Sequence, residues 1–250
     1  MPTTTIYAAD NRRATLEAGL GSDDWDDLLS TSDADSIATG EQNTFAVRAG
    51  ALTGRGGTTY RLYRWFCFFD VSSITGSNTI SAATIKIAGR AAVNDGSIGL
   101  YNSTAFGGDG TETIETTDID NVGGTSYSSN QYGSPGYSSW VSGNQSTNSF
   151  TLNATAISAM NTNGYLNVCG RNIYYDVEEE EQPSQDNYLG LNQWLSTNAT
   201  NSAYRVRMDI TYGSTAVAWG EKMNGVLSNV SNKYNTVLSS DLEKANDTGG

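Results

Sequence analysis

The stretch that most constrains the fold is YRLYRWFCFFDVSSI, residues 60–74, in which apolar side chains occupy both sets of alternating positions. Because successive side chains of a β-strand point to opposite faces, Leu62 and Phe66 share one face, and Trp65 and Cys67 share the other. From Trp65 onward both faces are apolar, which is typical of a central strand covered on both sides. We predict that one cover is an opposing sheet and the other is a long loop or a neighbouring subunit.

The composition around this stretch favours strands and turns over helices. The chain has 250 residues, of which 37% are hydrophobic and 27 are glycines. Most polar residues are Ser, Thr and Asn, which favour turns, whereas the Tyr, Ile, Val and Thr residues favour strands. All-β domains commonly reach roughly 200 to 250 residues as a single unit, so one all-β domain is predicted.

Further strands are predicted at intervals along the first 213 residues. Runs of strand-forming residues bounded by turn residues indicate strands at 3–8, 43–50, 96–103, 165–177, 188–196 and 203–213. The acidic segment that ends at residue 36 is expected to have little regular structure, and residues 154–160 are expected to form a single helical turn. The pattern predicts an antiparallel β-sandwich (jelly roll) over residues 1–213, followed by a tail, residues 214–250.

The net charge of −13 limits the partners of this chain. Phosphate backbones and anionic membrane surfaces repel a protein with 14 basic and 27 acidic residues, so we expect neither nucleic acid nor membrane as a partner. No apolar run approaches the ~20 residues that span a bilayer, and the first residues lack a signal-peptide pattern. We therefore predict a protein that is neither anchored in a membrane nor exported through a signal peptide.

The chain contains no histidine, which removes Ser-His-Asp triads, Cys-His pairs and histidine metal sites. The acidic runs at residues 23–27 and 178–181 are interpreted as solvated loops rather than as paired catalytic carboxylates. We predict that the protein is not an enzyme and has no organic cofactor. Cys67 and Cys169 lie in strand-like apolar stretches and are interpreted as isolated buried thiols.

Calcium is the metal that best suits the acidic side chains, because it takes roughly six to eight oxygen ligands. Acidic residues with the spacing of a loop occur early in the chain, although no defined calcium-loop motif is present. The candidates for a structural Ca²⁺ site are Asp23, Asp26, Asp33 and Asp35.

Three segments of the first domain resemble carbohydrate-binding-module-like jelly rolls. The segment WFCFFDVSSITGSNTISAATIKIAG, residues 65–89, resembles the signature strand pair of that family, and residues 150–177 and 204–212 resemble its later segments. The resemblance implies a jelly-roll fold over most of residues 43–213. The residues of the strand pair that carry it are Phe66, Phe68, Asp70, Ser72, Ser73, Ile74, Ile80, Ala83, Thr84 and Ile87.

The same resemblance implies a sugar-binding surface made of exposed aromatic side chains. Residues 107–149 combine Gly, Ser, Thr and Asn with isolated aromatics, a composition typical of loops at a sandwich end, where recognition sites are common. The candidate glycan contacts are Tyr132, Tyr137 and Trp140. The alternative is that these aromatic side chains pack on the sandwich edge or in a contact between subunits.

The tail contains a repeat of eleven residues in KMNGVLSNVSNKYNTVLSSDLEK, residues 222–244. Lys222, Asn224, Val226, Leu227 and Ser228 recur as Lys233, Asn235, Val237, Leu238 and Ser239. The apolar side chains are too few to form a core alone, so we expect them to pack against other copies, the sandwich or a larger assembly. The predicted oligomerisation or anchoring residues are Trp219, Met223, Val226, Leu227, Val230, Tyr234, Val237, Leu238 and Leu242.

Two conformations of this tail remain open. The apolar spacing is compatible with a helix whose eleven-residue repeat would supercoil with a right-handed sense. The intervening Asn, Gly, Ser and Thr residues are poor helix formers and favour short extended segments separated by turns, as at Asn224-Gly225. The tail resembles the K-(I/V)-N-G-V-A repeats at the ends of virion proteins of tailed phages.

Together these patterns predict a virion structural protein of a tailed phage, displayed on the particle surface as a capsid decoration or fibre-like protein. Its expected partners are other virion proteins and copies of itself, with a trimer as one candidate oligomer. The alternatives are a carbohydrate-binding module of a surface or secreted protein, and a receptor-recognition tip that binds a cell-surface glycan. The fold alone does not decide among these, since many functions use the same β-sandwich.

Overall fold

The computed structural model describes residues 1–19, 24–39, 45–94, 97–123, 131–133, 140–142, 147–179, 182–192 and 205–214. The contacts of the chain divide it into two units, Met1–Gly213 and Ser214–Gly250. Within the described ranges, no helix has both the length and the apolar character needed to cross a membrane.

The first unit is an all-β, sandwich-like fold with short helices in its connections. The strands are β1 Thr3–Tyr7, β2 Arg13–Ala18, β3 Ser36–Ala38, β4 Phe45–Gly54, β5 Gly57–Asp70, β6 Asn78–Val93, β7 Ile98–Asn102, β8 Gln131–Gly133, β9 Thr147–Thr151, β10 Tyr165–Asn172, β11 Asp186–Asn192 and β12 Arg207–Ser214. The helices are α1 Trp25–Leu29, α2 Ser72–Thr75 and α3 Ala154–Asn163, with a 3₁₀ turn at Thr116–Asp120 and a π turn at Ile173–Val177.

The strands form one curled antiparallel sheet in the order β1-β12-β6-β11-β4-β5-β10-β7-β8. Strand β2 pairs with both β3 and β5, and β9 pairs with β6. The long strand β5 pairs with β4 through residues 57–63, with β2 through residues 62–67 and with β10 through residues 65–70. Strands β4 and β10 therefore pair with successive parts of β5. In this way β5 joins the strands that follow β4 in the sheet order to those that follow β10.

Strand β5 is apolar on both faces because each face lies in a different hydrophobic cluster. The first core contains Trp65, Cys67 and Phe69 from β5, together with apolar residues of β4, β6, β7, β10, β11 and β12. The second core contains Phe66 and Phe68 with apolar residues of β2 and α1 and of the loop after β7. The predicted double cover is therefore confirmed, and in the described chain the second cover includes a loop of the same molecule.

Buried polar side chains fix that covering loop, residues 103–122. The side-chain amide of Asn167 donates to the carbonyl oxygens of Ala105 (2.5 Å) and Gly108 (3.3 Å). The carboxylate of Asp118, only 6% exposed, accepts from the backbone N–H of Glu115 at 3.0 Å. These contacts hold Phe106 fully buried at a φ of 59°, a left-handed conformation that costs energy in a residue other than glycine.

Several predicted boundaries are wrong. The acidic segment contains β2, α1 and β3 rather than irregular chain, because Ala14, Leu16 and Ala18 alternate toward the second core. In α1 the side chain of Asp24 accepts the N–H of Asp26, which caps the helix, and Trp25 is buried. Strand β5 ends at Asp70, where α2 follows, and β10 ends at Asn172, where the π turn follows. The expected single turn at residues 154–160 is a longer helix, α3.

A buried cluster of charges joins β5, β10 and the π turn. Asp176 is fully buried and accepts hydrogen bonds from Arg64 (Nη2 to Oδ1, 2.6 Å) and from Arg171 (Nη2 to Oδ1, 2.8 Å). Arg64 also donates from Nη1 to the carbonyl oxygen of Ile119 at 2.8 Å, so the cluster reaches the covering loop. Burial alone would raise the pKa of Asp176, but the charges of Arg171 and Arg64 outweigh it and hold that pKa well below its ordinary range.

We expect Asp176→Ala to lower the free energy of unfolding by about 3–5 kcal/mol, because two buried guanidinium groups lose their counterion. The matched control is Asp186→Ala, which removes the carboxylate that Arg48 contacts at 2.7 Å in a partly exposed pair, with side chains 14% and 26% exposed. That change should cost about 1 kcal/mol or less. Urea denaturation of both variants measures the difference, and equal losses would contradict this assignment of the cluster.

Candidate functional site

The candidate site is a pocket of about 380 Å³ at one end of the sandwich, hereafter the end pocket. It lies where β1 ends at Tyr7, β5 ends at Asp70 and β10 begins at Tyr165. The linker between β1 and β2 contributes Asn11 and Arg12, the loop after β7 contributes Asp109 and Gly110, and the end of α3 contributes Asn163. The pocket is thus built from segments that are far apart in the sequence.

Backbone and side-chain hydrogen bonds hold the ends of β5 and β10 side by side. The Oδ1 atom of Asp70 accepts the N–H of Ser72, the first residue of α2, at 2.9 Å. The N–H of Val71 donates to the carbonyl oxygen of Gly164 at 2.9 Å. Gly164 ends α3 with a φ of 78°, a conformation that glycine adopts without strain. These bonds fix Asp70, Asn163 and Tyr165 on neighbouring backbone segments.

The aromatic part of the lining is also fixed. The rings of Phe68 and Tyr165 stack with their centroids 5.2 Å apart and their planes at 28°. The covering loop lies directly against Phe68, since a Cβ at Gly110 would be 2.5 Å from Cζ of that ring. Phe68 is 7% exposed, and Tyr165 is half-buried, so Tyr165 presents the larger aromatic surface.

The charged groups of the end pocket are already oriented by short hydrogen bonds, one within the covering loop and one between distant segments. Asp109 accepts from the hydroxyl of Thr111 at 2.6 Å and from its N–H at 3.0 Å. The hydroxyl bond and then the backbone bond lower the pKa of Asp109, so its carboxylate is ionised at neutral pH. Arg12 donates from Nη1 to the carbonyl oxygen of Glu112 at 2.6 Å, which directs its guanidinium along the same loop.

The structure places two of the predicted glycan contacts in the first core. Tyr132 is 7% exposed and Trp140 is 8% exposed, and both pack with apolar residues of the sandwich. For these two side chains the geometry favours the alternative of packing on the sandwich. Tyr137 lies outside the described residues.

The predicted calcium ligands are not brought together in the part of the chain that is described. Asp26 is exposed in the first turn of α1, Asp33 is exposed in a turn, and Asp35 accepts the N–H of Gly19 at 2.7 Å. Asp23 lies outside the described residues. Among the residues that are described, no group of three or more acidic, cysteine or histidine side chains is placed to hold a metal ion.

The predicted anchoring residues, Trp219 to Leu242, also lie outside the described residues, as does the choice between the two tail conformations.

A second group of half-buried aromatic side chains was not predicted from the sequence. Arg48 lies over the rings of Tyr63 and Tyr188, with its Cζ 5.2 Å and 5.7 Å from their centroids. Its guanidinium also binds Asp186 through two hydrogen bonds of 2.7 Å each. The register aligns Tyr188, Arg48 and Tyr63 directly across three adjacent strands, so this row stabilises the pairing of β11, β4 and β5.

No protein-family model matches the chain, and no curated protein matches it at a significant level.

Both cysteines are free and fully buried on opposite faces of the sheet, Cys67 in the first core and Cys169 in the second. Burial raises the pKa of both thiols, to about 12 for Cys169, so little thiolate is present at neutral pH.

We expect iodoacetamide to modify neither thiol of the folded protein at a measurable rate, because reaction requires local opening as well as ionisation. In concentrated urea both thiols should react, and intact-mass spectrometry counts the added groups. Modification of either cysteine in native buffer at the rate of a free thiol would contradict the described packing.

Proposed function

We propose that this protein is a non-enzymatic virion structural protein of a tailed phage, with a β-sandwich body displayed on the particle surface and a tail that anchors or oligomerises it. The observation that carries the proposal is the apolar eleven-residue repeat beyond the last described strand. A repeat with apolar residues at regular intervals and no core of its own requires a partner surface.

The body supports this role through its architecture. Its two hydrophobic cores are built within one chain, and its long connections are held to the body by buried hydrogen bonds such as those of Asn167. A body of this kind provides a stable scaffold on which loops and pockets are presented, while attachment is left to another segment. The acidic composition favours solubility at the high copy number that a decoration protein needs.

We expect a shortened chain that ends at Ser214 to remain folded and soluble but to lose self-association and attachment to the particle. Circular dichroism and urea denaturation measure the fold, light scattering measures the oligomeric state, and sedimentation with particles measures attachment. A shortened chain that still assembles with itself or occupies the particle would contradict the proposed role of the tail.

Point variants of the full chain test the same idea without deletion. Leu227→Asp combined with Leu238→Asp places a charge at the same apolar position of both repeats and should dissociate the assembly, because burying an unpaired charge is costly. The matched control is Ser228→Asp combined with Ser239→Asp, which adds the same charge at the neighbouring polar position of each repeat. Equal effects of the two pairs would indicate a general charge effect rather than apolar packing.

A further inference from the structure

The two ends of the covering loop meet, so the loop can detach without displacing the strands beside it. A β-bridge joins Ser103 to Val122, and the N–H of Gly123 donates to the carbonyl oxygen of Asn102 at 2.8 Å. The described ladders pair β5 with β4, β2 and β10, and they pair β10 with β5 and β7. None of these ladders includes the covering loop, so all of them can stay intact when it opens.

Two buried polar side chains hold the covering loop to the sheet. Asn167, which is 4% exposed, donates to the carbonyl oxygens of Ala105 and Gly108 near the start of the loop. Arg64, which is 1% exposed, donates to the carbonyl oxygen of Ile119 near its end. Because these are hydrogen bonds from side chains rather than a strand ladder, water can replace them when the loop opens.

Cys169 lies between these two points of attachment. The alternating residues Asn167, Cys169 and Arg171 of β10 share one face of the sheet. Arg171 binds Asp176, which also binds Arg64, so the second point of attachment lies at the Arg171 end of this row. The covering loop therefore passes over Cys169.

The two cysteines report on different parts of the body. Cys169 is fully buried in the second core, together with Ala105, Phe106 and Ile119 of the covering loop. Cys67 is fully buried in the first core, on the other face of the sheet. Opening of the covering loop would thus expose Cys169 and leave Cys67 covered.

The closed covering loop contains backbone strain. Phe106, Gly107 and Gly108 follow one another at φ values of 59°, 71° and 82°, all in the left-handed region. Glycine adopts this conformation freely, but it costs energy in Phe106 because a side chain crowds the backbone there. The ring of Phe106 is fully buried, so packing offsets this cost only while the loop is closed. Opening loses that packing but releases the strain.

The carboxylate of Asp118 holds the two halves of the covering loop together. It accepts the N–H of Glu115 at 3.0 Å, the side-chain amide of Asn121 at 2.5 Å and the N–H of Phe106 at 3.5 Å. Asp118 is only 6% exposed, so water does not readily take its place as an acceptor. This one carboxylate links the strained turn at Phe106 to the 3₁₀ turn at Thr116–Asp120.

We propose that the covering loop, residues 103–122, opens as one unit while the rest of the β-sandwich stays folded, and that Asp118 holds it closed. Opening uncovers the face of β5 that carries Phe66 and Phe68. It also removes Asp109 and Gly110 from the end pocket, so that pocket is complete only in the closed state. The proposal concerns the body and does not depend on the tail or on the virion role.

The test uses the full chain, with its two cysteines as internal reporters. Iodoacetamide is added for a fixed time at a series of urea concentrations, and mass spectrometry of the digested protein assigns each added group to Cys67 or Cys169. Circular dichroism of the same samples gives the global transition. Below that transition we expect Cys169 to be modified about tenfold faster than Cys67 or more, because opening a local unit costs less free energy than global unfolding.

Gly108→Ala tests the contribution of strain. A Cβ at Gly108 would lie 3.9 Å from its nearest contact, the carbonyl oxygen of Thr104, so the change adds left-handed strain without a clash. This strain raises the free energy of the closed loop, and we expect Cys169 to be modified roughly tenfold faster than in the wild-type protein. The matched control is Gly164→Ala, at a φ of 78° and with ordinary contacts outside the loop. It should lower the urea midpoint but leave the ratio of Cys169 to Cys67 modification unchanged.

Asp118→Asn tests the role of the carboxylate. Either orientation of the new amide leaves the N–H of Glu115 or the side-chain amide of Asn121 without an acceptor. We therefore expect modification of Cys169 to be about tenfold faster or more. The matched control, Asp120→Asn, makes the same change in charge at an exposed residue of the same 3₁₀ turn and should leave the rate unchanged.

Two outcomes would overturn the proposal. The first is that Cys67 and Cys169 are modified together, at the urea concentrations of the global transition. The second is that neither Gly108→Ala nor Asp118→Asn raises the ratio of Cys169 to Cys67 modification above that of its matched control, which would place the opening elsewhere in the second core. If Asp118→Asn does not fold, the two glycine variants decide alone.

Discussion

The architecture depends on one strand that must be covered on both faces. Residues 65–69 of β5 alternate between two hydrophobic cores, so neither face of this stretch can be left to solvent. The sheet supplies one cover, and β2, α1 and the loop at residues 103–122 supply the other. The loop is mostly irregular chain in a buried setting, so its backbone groups need partners from side chains. Asn167 and Arg64 donate to its carbonyl oxygens, and the carboxylate of Asp118 accepts the N–H of Glu115.

The same covering loop connects the core to the candidate site. Asn167 bonds the carbonyl oxygen of Gly108, and the loop then passes so close to Phe68 that only glycine fits at position 110. Asp109 stands between these two fixed points and lines the end pocket. Packing in the second core therefore sets the position of the Asp109 carboxylate. A substitution that shifts this core should also shift Asp109 in the end pocket.

The sequence predicted the elements whose signal is local. The double apolar face of β5 and the strands β1, β4 and β7 follow from patterns over a few residues. Strand β2 was missed because its alternating residues, Ala14, Leu16 and Ala18, are mostly small and precede an acidic run that resembles a solvated loop. The buried cluster of charges was detectable in the sequence, because Arg64 and Asp176 are charged residues within otherwise apolar strand-like stretches. The end pocket could not be predicted from a local pattern, because its lining comes from four separate segments that meet only when the sheet curls.

The exchange of partners along β5 also has a consequence for how the chain reaches its fold. This strand, at residues 57–70, is paired with residues 13–18 before it in the sequence and with residues 165–170 a hundred positions later. Contacts of such long separation close slowly, because the entropy of a large loop is lost before the contact forms. While the chain is being synthesised, one edge of the second half of β5 therefore stays without its β10 partner until about two thirds of the protein has been made. During that interval the apolar second half of β5 has an unpaired strand edge and is therefore prone to aggregate. The same stretch organises the finished molecule.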